Sequence, residues 1–170
     1  MTAKRILPRA ENLMNRHVHA VTPDMGLANV VKVLLQHKIS CAPVVNEIDG
    51  GRRILIGFVS EQDCLEHLSN EMFHGNPRPQ QTASTIMKKH PICVAVDTDV
   101  FTLSSIFVSH GFRHLPVVDS DNHLLGLISR REILKALECF YDQTNDAYQI
   151  EHFPPDVHQI INHRFLMRDD

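Results

Sequence analysis

Cysteine is sparse in this chain, tryptophan is absent, and no apolar run approaches the roughly 20 residues needed to cross a bilayer. Each shortage excludes something. The four cysteines, Cys41, Cys64, Cys93 and Cys139, stand far apart with no C-x-x-C pair, which argues against a disulfide framework or a thiolate metal knuckle and for reduced, mostly buried thiols. The first residues, Met1 to Arg9, are polar and basic with no apolar stretch behind them, so no secretory leader is expected and a cytoplasmic, membrane-free protein is. Net charge is only −3, with both signs mixed, so no basic stripe is present to neutralise phosphates along a nucleic acid.

Chemical motifs are equally scarce. There is no G-x-S-x-G elbow, no G-x-x-x-x-G-K-[ST] loop, and no Cys, His and acid set spaced as a nucleophile with its base, so no catalytic residues are assigned and no enzyme is expected. Histidine is the exception, with twelve in 170 residues. His17 and His19 would share a strand face, and His67 and His74 a helix face were that helix to run on through Gly75. Neither pair meets a Cys or carboxylate at ligand spacing, so no metal is expected.

What the chain does have is a duplication. Leu13 to Val45 aligns over Ile86 to Val118 at a constant offset of 73 without a gap: Met14 on Met87, His17 on His90, Val21 on Val94, Asp24 on Asp97, His37 on His110, Pro43 on Pro116. The offset then falls to 69, because Asn46 to Arg53 forms a longer loop than Asp119 to Asn122, and Gly57-Phe58-Val59-Ser60 falls on Gly126-Leu127-Ile128-Ser129. Length differences at a Gly- and Asp-rich turn are what a hairpin tolerates.

Each copy reads as βαββα. Val18 to Val21 is a short strand. Thr22-Pro23-Asp24 breaks the chain and opens a helix whose Leu27, Val30, Val31, Leu34 and Leu35 follow the i, i+3, i+4, i+7, i+8 template. Ala42 to Val45 and Ile54 to Val59 make a hairpin, and Glu61 opens a second helix. In the second copy a helix from about Val100 stops at Gly111, and the last helix carries Ile133, Leu134, Leu137, Phe140 and Tyr141 on one stripe. The expected domains are repeat 1 over 10–74, a linker over 75–83, repeat 2 over 84–141 and a C-terminal extension over 142–170. In that extension Val157, Ile160, Ile161, Arg164 and Phe165 share a helix face that either folds back on the chain or grips a second subunit.

The paired opening methionines, the stretches Ile39 to Val45 and Phe112 to Asp119, and Gly57 to Asp63 with Gly126 to Glu132 together resemble the tandem cystathionine-β-synthase (CBS) domain pair, or Bateman module, over about residues 10 to 141. The resemblance implies an α+β (α/β) fold of two βαββα repeats packed about a pseudo-twofold axis, here with a short helical tail. It implies a regulatory, nucleotide-sensing module that holds AMP, ADP, ATP or S-adenosylmethionine between the repeats and modulates a partner protein it does not identify. Homodimers are common in the family. Two crossed clefts are implied: one bounded by Ser60, Asp63, Ile92, Ala95, Phe112, Arg113, His114 and Pro116, the other by Thr22, Ile39, Ser40, Cys41, Pro43, Ser129 and Glu132.

The resemblance gives Asp63 and Glu132 the role of ribose acceptors, with Ser60 and Ser129 reaching a phosphate. A Ser followed three residues later by an acid is also a capping box at a helix start, and this applies to Ser129 and Glu132 above all. Arg113 and His114 offer a guanidinium fork and an imidazole to a phosphate, which makes the first cleft the expected nucleotide site; for Arg113 a surface ion pair is the alternative. A degenerate pair of clefts would leave an assembly module whose function is dimerisation.

Overall fold

The computed structural model describes residues 7–48, 50–74 and 80–142. The linker at Gly75 to Pro79 and the apolar stripe beyond Val157 lie outside them. Contacts divide the described residues into two compact units that do not follow the order of the repeats: one gathers those up to Arg16, Ile92–Ser120 and those from Leu125, the other those within His17–Pro91 with Asp121–Leu124.

The unit around His17–Pro91 contains helix α2 (Leu27–His37), strands β1 (Cys41–Ile48) and β2 (Arg52–Ser60), helices α3 (Glu61–His74) and α4 (Ala83–Ile86), and strand β3 (Lys88–Lys89). β1 and β2 form an antiparallel hairpin with Cys41 opposite Ser60, and a bulge between Val44 and Val45 that passes over Ile56. β3 adds to β2 with Phe58 opposite Lys88. Ala42 to Val45 of β1 are buried in succession and β2 alternates, so that Val44 and Val59 pack with Val21, Val30, Leu34 and Ile86 in one apolar core. The helix over Leu27–His37 was legible from its stripe, but its two ends were not. Gly26, not Asp24, precedes it, and the Leu27 N–H donates to the Gln81 carbonyl at 2.8 Å. It ends on Lys38 in the left-handed conformation, at the position where the second copy has Gly111.

The strand expected over Val18–Val21 is reduced to a single parallel bridge from Val21 to Val44. The Val18 carbonyl accepts from the Arg53 guanidinium at 3.0 Å, and the aligned segment of the second copy is likewise reduced to one parallel bridge, from Val94 to Val117. His19 meanwhile stacks on His37 with ring centroids 3.6 Å apart rather than pairing with His17.

The other unit contains α1 (Ala10–Leu13), α5 (Val100–His110), β4 (His114–Val118), β5 (Leu124–Ser129) and α6 (Arg130–Asp142). Asp99 caps α5, its Oδ1 accepting from the N–H groups of Phe101 and Thr102 at 2.9 and 3.0 Å, and Gly111 closes the helix at φ 66°. Leu103, Leu115, Val117 and Ile128 are fully enclosed in its core. On α6 the expected stripe divides: Ile133 is buried, whereas Leu134 and Tyr141 are exposed.

Each unit is closed by the opening segment of the other repeat. Residues 10–15 lead into the first repeat in sequence, yet Ala10 N–H donates to the Thr98 carbonyl at 2.8 Å and Asn15 pairs with Leu127. Met87 and β3 do the same for β2. A glycine makes room in both places. A Cβ on Gly126 would lie 2.9 Å from the Asn15 carbonyl oxygen, and one on Gly57 would lie 2.8 Å from Met87 Cγ.

Candidate functional site

Both Ser-x-x-acid turns form caps, the first of them fully reciprocal. Asp63, in the first turn of α3, is 7% exposed; its Oδ2 accepts from the Ser60 N–H at 2.8 Å and the Ser60 hydroxyl at 2.5 Å, and Ser60 Oγ in turn receives the Asp63 N–H at 3.3 Å. The second oxygen, Oδ1, lies outside the cap and 3.7 Å from the Lys88 ammonium of β3. On α6, Glu132 Oε2 likewise accepts from the N–H and hydroxyl of Ser129, while Ser129 Oγ receives the Arg131 N–H at 3.2 Å. Burial works to raise the Glu132 carboxyl, but the two Ser129 hydrogen bonds, its own backbone and Lys135 outweigh it and hold it below its ordinary value. Capping and ligand binding are thus compatible at both acids, because each cap uses a single carboxylate oxygen.

Arg113 and His114 sit beside the Ser129–Glu132 turn of their own unit. The Arg130 N–H donates to the Arg113 carbonyl at 3.3 Å, while the Arg130 guanidinium takes the carbonyls of Gly111 and Phe112. Burial lowers the His114 imidazole, Glu132 opposes this, and Arg113 adds to it, so the net effect favours the neutral ring. The aligned contact in the other unit runs from the Glu61 N–H to the Ser40 carbonyl at 2.9 Å. Within each unit, then, the strand that carries the proline starts against that repeat's own Ser-x-x-acid turn. Phe112, half-buried, stacks on His110 at 5.4 Å.

The remaining expected site residues divide by burial. Ile39, Ser40 and Cys41 at the start of β1 are half-buried, as are Thr22 and Ala95 just after the bridged Val21 and Val94, whereas Pro43 and Pro116 are buried within strands and Ile92, 5% exposed, belongs to the core. The Thr22 hydroxyl donates to Asp24 at 2.5 Å and holds that carboxyl below its usual range. Of the thiols, Cys64 and Cys93 are buried, Cys41 is half-buried and Cys139 is exposed, which corrects the expectation of mostly buried cysteines. Burial pushes Cys93 up to about 12 and, with the charges of Asp63 and Glu61, raises Cys64, so neither is a nucleophile.

Two side chains were missed from the sequence. Lys88 belongs to no motif, and only pairing across β2 reveals its place beside Asp63. Arg130 is hidden because its aligned residue, Glu61, makes the same backbone bond with a side chain of opposite charge. The turn after β4 also carries Asp119, Asp121 and a buried His123, a set of metal-ligating type spaced as D-x-D-x-H. Among the described residues no helix is long and apolar enough to cross a membrane.

Comparison with known proteins agrees with this architecture. A curated relative, an uncharacterized 17.7 kDa protein of Acidianus ambivalens, is 27% identical over 129 residues, covering 76% of this chain and 73% of that protein. Inosine-5′-monophosphate dehydrogenase of Streptococcus pyogenes is 28% identical over 134 residues, but this chain spans only 25% of its length. Among solved structures, a CBS-domain containing protein of Agrobacterium tumefaciens superposes with a TM-score of 0.62 at 26% identity, over 76% of this chain and 99% of that one. CBSX2 of Arabidopsis thaliana, solved in complex with AMP, superposes with a TM-score of 0.66 at 24% identity, over 78% and 98%. The CBS domain model matches residues 10–70 and again 83–139, the same two stretches in which the duplication and the two Ser-x-x-acid turns are found, and the chain belongs to the CBS domain family.

Proposed function

We propose that this chain is a non-catalytic regulatory module that binds an adenine nucleotide or adenosyl ligand and thereby changes the activity of a partner protein. The observation that carries this reading is the Ser60–Asp63 turn: a carboxylate held in one orientation by its cap, 7% exposed, with one oxygen left over to accept a ribose diol. The family membership supports it, and CBSX2 shows that a protein of this fold holds AMP. Asp63 is the stronger candidate of the two acids because it is more deeply buried than Glu132, and hydrogen bonds in a drier site are stronger. Arg113 and His114 remain the candidate phosphate groups, the first as a cation and the second as a neutral hydrogen-bonding ring.

Asp63→Asn is expected to weaken AMP binding by about 1.5–3 kcal/mol, the value of a hydrogen bond to a charged group, while Glu132→Gln changes it less. Titration calorimetry on the full chain decides this. A parent that binds none of AMP, ADP, ATP or S-adenosylmethionine would overturn the reading.

A second reading, assembly of a homodimer, rests on a different observation. Among the described residues, four of the five exposed large apolar side chains fall at aligned positions: Leu35 matches Val108 at the offset of 73, and Leu65 matches Leu134 at the offset of 69, with Tyr141 the fifth. Between α5 and α6, Val108 and Leu134 border a groove of about 310 Å³ that Phe107 and Leu137 also line. Apolar side chains repeated on both helix pairs are suited to a self-complementary interface. Val108→Glu with Leu134→Glu is expected to leave a monomer in sedimentation velocity where the parent sediments as a dimer. A parent that is already monomeric at micromolar concentration would sink this reading.

A further inference from the structure

Lys88 is the one cation that an ion pair joins to a Ser-x-x-acid turn among the described residues, and the ligand chemistry of that turn depends on what it does. Its ammonium is 3.7 Å from Asp63 Oδ1, longer than a well-made charge-assisted hydrogen bond, and its side chain is 72% exposed. Asp63, by contrast, is fixed by Ser60 and nearly enclosed. The pair therefore joins an immobile carboxylate to a long, mobile arm with donors to spare. The aligned position in the other unit is Asn15, which faces Leu127 just as Lys88 faces Phe58. A neutral amide there gives Glu132 no counterpart to this pair.

We propose that Lys88 is a specificity-determining residue that makes the Asp63 turn select phosphorylated nucleosides over uncharged ones, by exchanging partners. Without ligand the ammonium pairs with Asp63 Oδ1. When a nucleoside 5′-phosphate binds, its ribose diol donates to Oδ1 and its phosphate, on the same sugar, takes over the ammonium. Both charges remain compensated throughout. An uncharged nucleoside brings the diol but no anion, so it must compete with Lys88 for Oδ1 and leaves the ammonium without a partner. This rests on the proposed ligand site at Asp63 and specifies its substrate class.

The test is titration calorimetry of AMP and adenosine against the full chain, the Lys88→Gln variant and the Lys88→Arg variant, with a thermal melt of each to register folding. Lys88→Gln is expected to weaken AMP by roughly tenfold or more, the loss of one charge-assisted hydrogen bond, while adenosine binds as well as before or better because its competitor is gone. Lys88→Arg should keep the preference for AMP. Equal losses for both ligands, or none for AMP, would overturn the role of Lys88 and leave the Asp63 site standing. A parent that binds neither ligand would overturn the site and the proposal together.

Discussion

Leu103→Ala is expected to destabilise the protein by about 2–5 kcal/mol, the range for removing a large aliphatic side chain from a packed core. Leu103 has no exposed surface and lies in the middle of α5, where Val100, Ile106 and Phe107 present the same face to Leu115, Val117 and Ile128. Rigid neighbours on a strand pair cannot close over the space that three lost carbons would leave, so both the transfer term and the cavity term apply. Its aligned partner Val30 is equally enclosed but one methylene smaller, so Val30→Ala should cost less by about 0.8 kcal/mol. Urea unfolding followed by circular dichroism measures both. A shift below 1 kcal/mol for Leu103→Ala would show that the core around α5 relaxes far more than its packing implies.

Gly126→Ala is expected to destabilise by about 1–3 kcal/mol, the cost of overpacking. The sign is informative, since at an unstrained site the same change stabilises by about 0.4–1 kcal/mol through the unfolded chain. Neither Gly126 nor Gly57 has a positive φ, so the demand for glycine is steric. The obstacles differ. At Gly126 the new Cβ meets the Met14 sulfur at 2.8 Å and, almost as close, the Asn15 carbonyl oxygen at 2.9 Å, a backbone atom in a paired segment that cannot swing away. At Gly57 it meets the Met87 side chain first, with the Lys88 carbonyl at 3.1 Å behind it. A double-mutant cycle should therefore show strong coupling between Gly57→Ala and Met87→Ala, and weaker coupling between Gly126→Ala and Met14→Ala. Equal and negligible couplings would mean that the methionines do not lie over these glycines in solution.

Most secondary structure was legible because periodicity and duplication reinforced each other. Two independent stretches with the same apolar spacing, the same Pro-Val-Val strand and the same Gly-x-x-Ser strand end have to be explained by the same local fold. Where the copies differ, local signals failed. Lys38 ends α2 in a conformation that Gly111 advertises at the end of α5, because a helix stopped by what packs beyond it needs no glycine in sequence. The strand over Val18–Val21 had the right residues but keeps a single bridge, and so does its aligned copy at Val94, so this shortfall is common to both repeats.

The residue types of the candidate site were likewise readable, and their company was not. Ser60, Asp63, Ser129 and Glu132 announce themselves by a spacing of three, since one helical turn fixes what a cap needs. By itself, then, the sequence determined the two repeats, their helices and hairpins, both caps and the core-facing stripes, all of which depend on neighbours within a turn or a pleat. Only the tertiary structure decided that Met14 closes over Gly126 and Met87 over Gly57, each opening segment completing the unit of the other repeat, and that β3 thereby delivers Lys88 to Asp63. Two copies of one pattern offer each opening segment two equivalent partners. Local propensity is the same for either choice, so only the path of the chain between elements separates them.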